Sequence, residues 1–153
     1  MDEKLAIERI SPGQLKKLGN LQESGKRAVA DNDTDAYAQY NMAFHECVYT
    51  SCGNRYLTGQ MLYIRKRTNP YRQSQFDHAC FSAEASWNDH QAMYQAFLEG
   101  DAQTAMQVAS QHIAAHTRHF AEMAETSPEH LFFTQERNQR TKDMSRLFMP
   151  VTL

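Results

Sequence analysis

The amino-acid sequence predicts an all-α protein. Apolar residues recur three and four positions apart along most of the chain, which is the spacing that places them on one face of a helix. Only six glycines and four prolines occur among 153 residues, and several of them stand where a helix could begin or end. Serine and aspartate residues that can cap a helix precede several of these segments. We therefore expect a series of helices joined by short turns.

The first two predicted helices meet at Ser11-Pro12. Residues 3–10 carry three apolar side chains and resemble the last turns of a helix. Ser11 is suited to cap the next helix, and Pro12 is suited to its first position, where a missing N–H group costs nothing. That helix should run to about residue 30, before Asp31-Asn32-Asp33. Its core candidates are Leu15, Leu18, Leu21 and Val29.

The third predicted helix, residues 34–51, carries the most informative stripe of the chain. Asp33 can cap this helix and Gly53 can end it, since glycine tolerates the left-handed backbone that commonly follows a helix. Residues of the inward face are spaced i, i+4, i+7, i+8 and i+11. They are Tyr37, Asn41, Phe44, His45 and Val48.

The fourth predicted helix starts near Asn54 and stops at Asn69-Pro70, because the residue before a proline disfavours helical backbone. Four of its residues should face the core: Leu57, Met61, Ile64 and Arg65. Arg65 follows Met61 by one turn, so its guanidinium should point inward, where it would seek a carboxylate. Arg67 is less suited to that direction. For residues 70–81, a short helix and an ordered loop both fit the sequence.

The fifth and sixth predicted helices meet at Gly100-Asp101. Ser82 can cap the fifth helix, Gly100 can end it, and Asp101 can cap the sixth, which runs to about residue 124. Their inward faces are Trp87, His90, Met93, Tyr94 and Phe97, and then Ala105, Val108, Ala109, His112, His116 and His119. A more polar helix should follow Ser127-Pro128. We accordingly divide the chain into a helical bundle, residues 1–125, and a C-terminal helix and tail, residues 126–153.

Composition argues against several classes of function. Hydrophobic residues make up 41% and charged residues 22%, as in an ordinary soluble domain. The net charge of -2 and the lack of a basic stripe give this chain no basis for binding DNA. No apolar run approaches the ~18 residues of a membrane span, and the first residues lack the apolar core of a signal peptide. Three cysteines without zinc-type pairing indicate reduced thiols in a cytoplasmic protein.

The seven histidines point to a metal site, although one buried histidine by itself needs only a hydrogen bond. His45 lies one turn after Asn41 on the third helix, and His90 and His112 lie on the apolar faces of the fifth and sixth. Three imidazoles buried on three helices are more simply explained by a shared divalent metal ion. The spacing fits a second grouping equally well, along one edge of the sixth helix: His112, His116 and His119.

The order and spacing of several short motifs resemble a known family. Within residues 5–120 these motifs are Asn41-Met42-Ala43-Phe44-His45, Cys52-Gly53-Asn54, Asp89-His90, Gly100-Asp101-Ala102-Gln103-Thr104-Ala105 and His112-Ile113. Together they resemble the signatures of the FCD domain. That domain is the effector-binding C-terminal domain of the FadR branch of GntR-type bacterial transcription regulators. An aspartate stands in the family at the position of Asn41.

The resemblance implies an antiparallel bundle of six to seven helices around a central cavity that holds a divalent metal ion, zinc or nickel. It favours one of the two ligand groupings: Asn41, His45, His90 and His112. It also implies a small carboxylate effector, for which we expect three contact residues: Arg65, Arg67 and His116. Family members are homodimers that reach DNA through a winged-helix domain, which is not present in this chain. We therefore expect a sensor domain that is not an enzyme.

Asn41 is the main departure from the family pattern at the expected metal site. Three neutral imidazoles and an amide leave the charge of a divalent ion uncompensated, so we expect weaker metal retention and a stronger preference for an anionic effector. Two alternatives to a sensor remain. One is a small helical-bundle metalloenzyme that uses a metal-activated water. The other is a dimerisation module whose histidines are only structural.

Overall fold

Six α-helices follow one another in the part of the chain that the computed structural model describes, residues 2–76 and 82–126. Their bounds are α1 Asp2–Arg9, α2 Pro12–Ala30, α3 Thr34–Ser51, α4 Arg55–Phe76, α5 Ala83–Glu99 and α6 Ala102–Thr126. The all-helical prediction is confirmed for these residues. The helix predicted after Ser127-Pro128 and the division at residue 126 depend on a segment that lies outside the described residues.

The side-chain caps that the sequence predicts are present at the start of α2, α3, α5 and α6. Ser11 accepts a hydrogen bond from the backbone N–H of Gln14 at 3.2 Å, and the Gln14 side chain accepts one in return from the Ser11 backbone at 3.0 Å. Asp33, Ser82 and Asp101 each accept a hydrogen bond from the backbone N–H three residues later, at 2.9, 3.1 and 3.0 Å. Each cap satisfies an N–H group that the first turn of a helix leaves without an intrahelical partner. All four predicted caps are confirmed.

Two glycines end helices in the left-handed backbone region, as the sequence predicts. Gly53 follows α3 with φ of 65°, and Gly100 follows α5 with φ of 70°. These dihedrals carry no steric penalty for glycine because it lacks a Cβ atom. Gly100 and Asp101 are the whole connection between α5 and α6, and such a short turn makes the two helices antiparallel neighbours.

Helix α4 differs from the prediction in two respects. It does not stop at Asn69-Pro70 but continues to Phe76. A proline removes one hydrogen bond from a helix interior at a cost of about 3 kcal/mol, yet its φ near −65° is itself helical, so the helix can run through it. In addition, Ile64 is 52% exposed instead of facing the core. The inward stripe is narrower than predicted, since Leu57 and Met61 are half-buried and Arg65 is buried.

Helix α3 is the central element of the bundle. It packs against α1, α2 and α4, and half of its residues are buried, including the aromatic side chains of Tyr37, Tyr40 and Phe44. The ring of Tyr40 lies directly against α2 at Gly25, where a Cβ atom would be only 2.6 Å from the ring. Glycine at this position therefore permits the close approach of α2 to the face of α3 that carries the predicted site.

Candidate metal centre

Three buried imidazoles converge in the interior of the bundle. His45 comes from α3, His90 from α5 and His112 from α6, and their relative exposures are 8%, 0% and 2%. The Nε2 atom of His90 lies 3.2 Å from the Nε2 atom of His45 and 3.2 Å from that of His112. These are the only His, Cys, Asp or Glu side chains of the described residues that form a group of three suited to hold a metal ion.

Aromatic packing orients the central imidazole. The ring of His90 stacks on that of Phe44, with centroids 4.4 Å apart and planes 16° from parallel. Phe44 immediately precedes His45 on α3, and its ring meets the His45 ring edge to face at 5.7 Å. One phenylalanine therefore contacts two of the three imidazoles and limits how either ring can turn.

The Asp89 carboxylate determines which ring nitrogen of His112 carries the proton. The Nδ1 atom of His112 lies 3.1 Å from Oδ2 of Asp89. An ionised carboxylate only accepts hydrogen bonds, so His112 donates through Nδ1–H and leaves Nε2 as a bare lone pair. Histidine ligands in metal sites are commonly oriented by a carboxylate in this way, and the carboxylate also supplies negative charge close to the ion.

His90 is oriented by a buried tyrosine and a buried glutamine. The Tyr40 hydroxyl lies 2.9 Å from Nδ1 of His90 and donates to Oε1 of Gln22 at 3.2 Å. Because the single hydroxyl proton of Tyr40 is used towards Gln22, the Tyr40 oxygen accepts from His90 Nδ1–H. In this arrangement Nε2 of His90 is also a bare lone pair, directed at the other two imidazoles.

Two bare nitrogen lone pairs 3.2 Å apart repel each other unless a cation lies between them. A tetrahedral zinc ion with Zn–N bonds of about 2.0–2.1 Å holds its nitrogen ligands about 3.3 Å from one another. The observed separations of 3.2 Å around His90 match that spacing. The donor set is also suitable, since neutral imidazole is a common ligand of zinc, nickel, copper and iron. These residues therefore fit a divalent metal ion.

Asn41 has the burial and the unpaired oxygen that a fourth ligand would need. It lies one turn before His45 on α3, is only 3% exposed, and its Oδ1 atom makes no hydrogen bond to any described residue. Its backbone carbonyl accepts a hydrogen bond from Nη2 of Arg65 at 3.0 Å. A buried amide oxygen without a hydrogen-bond donor is costly, and coordination of a metal ion would remove that cost.

The surroundings of His90 keep its imidazole neutral. Burial lowers the pKa of His90 well below its usual value, and the nearby His112, His116 and Arg65 lower the pKa further. At neutral pH the ring is therefore uncharged, which is the form that can bind a metal ion.

The three residues predicted to contact an effector are not equivalent in the structure. Arg65 is buried, as the sequence predicts, and is close enough to affect His90 electrostatically. The ring of His116 meets that of His112 at 4.4 Å, at the edge of the cluster. Arg67 lies on the exposed side of α4, where its guanidinium is 5.8 Å from the centroid of the Tyr63 ring. Residues two apart on a helix point in nearly opposite directions, which separates the two arginines.

The alternative grouping along α6 is only partly realised. His112 belongs to the cluster with His45 and His90. The side chain of His119 is 37% exposed, and its Nδ1 atom lies 3.6 Å from Oε2 of Glu122. Tyr40 and Gln22 are not among the site residues that the sequence predicts. A signal existed for both, since Tyr40 continues the aromatic spacing of α3, and Gln22 is a polar residue four positions after the core residue Leu18.

Comparisons with known proteins agree with this architecture. A family profile described as FCD domain matches residues 4–115. The solved structure of McbR/YncC from E. coli is similar, with a TM-score of 0.71 and 18% sequence identity. The alignment covers 80% of this chain and 58% of that chain; at this identity it establishes a shared fold alone. No curated protein matches the sequence. Within the described residues, no helix is long and apolar enough to cross a lipid bilayer.

Proposed function

This chain belongs to the FCD domain family, and on that premise we propose that it is the ligand-sensing and dimerisation domain of a GntR/FadR-type bacterial transcription regulator. It binds a divalent metal ion, zinc or nickel, together with a small carboxylate effector. Asn41, His45, His90 and His112 hold the ion. The domain acts in the cytoplasm as a homodimer and influences DNA through a winged-helix domain.

One observation carries this proposal: the Nε2 atoms of His45 and His112, from two other helices, both lie within hydrogen-bonding distance of Nε2 of His90. Two of the three rings are oriented through Nδ1, by Asp89 and by Tyr40, in the way that leaves Nε2 available. A purely structural histidine needs a single hydrogen bond, which both rings already have at Nδ1. The convergence of the remaining nitrogens is accounted for by a metal ion.

The charges around the cluster favour an anionic effector. A divalent ion whose only ligands are imidazoles and an amide gains no negative charge from them, and the buried guanidinium of Arg65 adds a second positive group. A small carboxylate bound near the ion would compensate both, since charge-assisted interactions strengthen where water is excluded. Arg65 and His116 are the first candidates for effector contact. Arg67, on the outer side of α4, is the weakest of the predicted set.

Effector occupancy is converted into a signal through the helices that share the ion. An ion bound to α3, α5 and α6 couples the positions of these helices to one another. An effector that binds one packing of them better than another shifts the population toward that packing. In a dimeric regulator this shift alters how the winged-helix domains meet DNA.

Elemental analysis tests the metal part of the proposal. Protein purified without a nickel column should contain about one zinc or nickel ion per chain, and the His45→Ala/His112→Ala double variant should contain almost none. Thermal unfolding of the metal-free double variant, compared with metal-free wild type, checks that the fold survives. A wild-type protein that takes up no divalent ion, even after incubation with zinc, contradicts the proposal.

A thermal-shift screen of small carboxylates on the loaded protein tests the effector part. A ligand present at about 100 times its Kd stabilises the folded state by about 2.7 kcal/mol, which raises the melting temperature by several degrees. Arg65→Met should reduce that shift, whereas Arg67→Met should change it less. Binding without turnover of the ligand distinguishes the sensor from the metalloenzyme alternative.

A further inference from the structure

Gln22 is a buried polar residue next to the metal centre, and only one end of its amide is used. Its exposure is 3%, and Oε1 accepts a hydrogen bond from the Tyr40 hydroxyl. The Nε2 atom is buried and has no hydrogen-bond partner among the described residues. The backbone of Gln22 is held in place, because its carbonyl accepts a hydrogen bond from Nε1 of Trp87 at 3.1 Å. A buried NH2 group without an acceptor lowers the stability of the folded state.

Nε2 of Gln22 would gain a partner, with Oε1 taking its unpaired place, if the hydrogen bonds between Gln22, Tyr40 and His90 ran in the opposite direction. Gln22 would then turn its amide and donate through Nε2 to the Tyr40 oxygen. Tyr40 would donate its proton to Nδ1 of His90, and His90 would carry its own proton on Nε2. The imidazole has the same number of protons in both arrangements, since one proton leaves Nδ1 and one joins Nε2.

The reversed arrangement suits a site without metal. With its proton on Nε2, His90 can donate to the bare Nε2 of His112 at the observed separation of 3.2 Å, while His112 keeps its Nδ1–H bond to Asp89. The repulsion between two lone pairs is thereby replaced by a hydrogen bond. When a metal ion is present, the lone pair of His90 Nε2 is needed for the ion, and the arrangement found in the structure is the suitable one.

We propose that Gln22 and Tyr40 form a reversible hydrogen-bond relay that sets the tautomer of His90, with Nδ1–H in the metal-loaded site and Nε2–H in the metal-free site. Gln22 suits this role because a carboxamide offers an acceptor and a donor at one place. The close packing of the Tyr40 ring against Gly25 fixes the hydroxyl oxygen, so that only the amide and the protons need to move. Both residues are positioning residues that act through His90.

This inference depends on the proposed metal site, and the test separates the two. Zinc affinity is measured by competition with a chelator for wild type, Gln22→Met, Tyr40→Phe and Tyr37→Phe. Long-range 1H–15N spectra of the histidine side chains report which nitrogen of His90 carries the proton. The metal-free variants are compared by thermal unfolding, so that a loss of fold is not mistaken for a loss of affinity.

Gln22→Met removes the competing acceptor, so the Tyr40 proton turns to His90 and holds the Nε2–H tautomer. Zinc affinity should fall about tenfold to a hundredfold, the usual effect of changing a group that orients a ligand. Tyr40→Phe should also weaken binding, because the loaded form would then bury an Nδ1–H group without an acceptor. Tyr37→Phe, a matched loss of a hydroxyl one turn away, should leave the affinity unchanged.

In wild type, the His90 proton should lie on Nε2 without metal and on Nδ1 after zinc is added. The relay is overturned if Gln22→Met binds zinc as tightly as a zinc-binding wild type, or if the His90 proton of metal-free wild type lies on Nδ1. A wild-type protein that binds no zinc contradicts the proposed function itself and removes the relay with it. The zinc affinity of the wild type therefore tests the proposed function, and the variants test the relay.

Discussion

Helices α3 and α4 depart from a simple hydrophobic pattern in opposite directions. The first buries polar groups, since Asn41 and His45 lie among aromatic side chains in the middle of the bundle. The second exposes apolar groups, with Tyr56, Tyr63 and Ile64 at 79%, 57% and 52% exposure. Polar residues inside a core are costly unless they have partners, whereas single apolar residues on a surface are common. The buried polar groups of α3 are therefore the more informative departure.

Two side chains of α4 donate hydrogen bonds to backbone carbonyls of α3, Thr58 to Tyr49 at 2.8 Å and Arg65 to Asn41 at 3.0 Å, and only Arg65 lies beside the candidate site. Arg65 leaves α4 toward the core and donates to the Asn41 carbonyl, while Arg67, two residues later, remains on the exposed side. The part of α4 that matters for the site is thus a narrow inward stripe. We expect substitutions on the buried face of α3 to change stability or metal binding, and truncation of side chains on the outer face of α4 to change neither by much. Four predictions test this contrast.

The largest contrast is expected between Phe44→Ala on α3 and Ile64→Ala on α4. Phe44 is fully buried and contacts two imidazoles. Its truncation should lower the free energy of unfolding by about 3–5 kcal/mol, because the transfer free energy is lost and a cavity remains. Ile64→Ala should change it by no more than about 0.5 kcal/mol, as at most surface positions. Chemical denaturation of both variants measures the difference, and equal effects would contradict the central position of α3.

Two glycines should respond to alanine with opposite signs. At Gly25 a Cβ atom would lie 2.6 Å from the Tyr40 ring, whereas at Gly59 on α4 it would meet nothing within 4 Å. Overpacking costs about 1–3 kcal/mol, which exceeds the gain of about 1 kcal/mol for alanine over glycine in a helix. Gly25→Ala should therefore lower the melting temperature and Gly59→Ala should raise it. Stabilisation by Gly25→Ala would mean that α2 and α3 are less closely packed.

Asn41→Asp should strengthen metal binding. A carboxylate in place of the amide compensates part of the charge of the ion, which the present ligand set leaves in excess. We expect zinc affinity to rise about tenfold, equivalent to about 1.4 kcal/mol. Asn20→Asp is a suitable control, because it adds the same charge at an exposed position of α2. If the two variants have equal affinities, Asn41 does not contact the ion.

The smallest effect is expected at alkaline pH. Burial raises the pKa of Tyr37 above its usual value of 10.0, with a contribution from the nearby Asp89, and burial likewise raises that of Tyr40. An unfolded tyrosine loses its proton above about pH 10, while the folded protein keeps both phenols protonated. The protonated phenols therefore leave the free energy of unfolding undiminished below pH 10, and that free energy falls as the pH rises further, because only the unfolded state loses these protons. Tyr37→Phe should flatten the decline of melting temperature between pH 9 and 11 relative to wild type. An identical decline in both proteins would contradict the prediction.

Much of the fold could be predicted because its signals are local. The caps at Ser11, Asp33, Ser82 and Asp101 each involve an N–H group three residues away, so the sequence contains both partners side by side. Pro70 is a case where a local rule was wrong. A proline lowers the stability of a helix by a finite amount, and the rest of α4 outweighs that cost over the bundle as a whole.

The candidate site could be predicted in part. The order of the motifs singled out His45, His90 and His112, and the structure brings these three together. That these histidines bind a metal ion, with Asn41 as a further ligand, stays a prediction, which the experiments above test. The family resemblance was needed for the choice, since spacing on α6 alone fitted a second group of histidines equally well.

By itself, the sequence determined where the helices lie, which face of each is apolar, and which residue types can bind a metal ion. Only the tertiary structure decided how those residues are oriented. Tyr40 and His90 are 50 positions apart, and Gln22 and Tyr40 are 18 apart, so no local pattern relates them. Helix formation follows from interactions within four residues, whereas the tautomer of a buried imidazole follows from whichever side chains the packing places beside it.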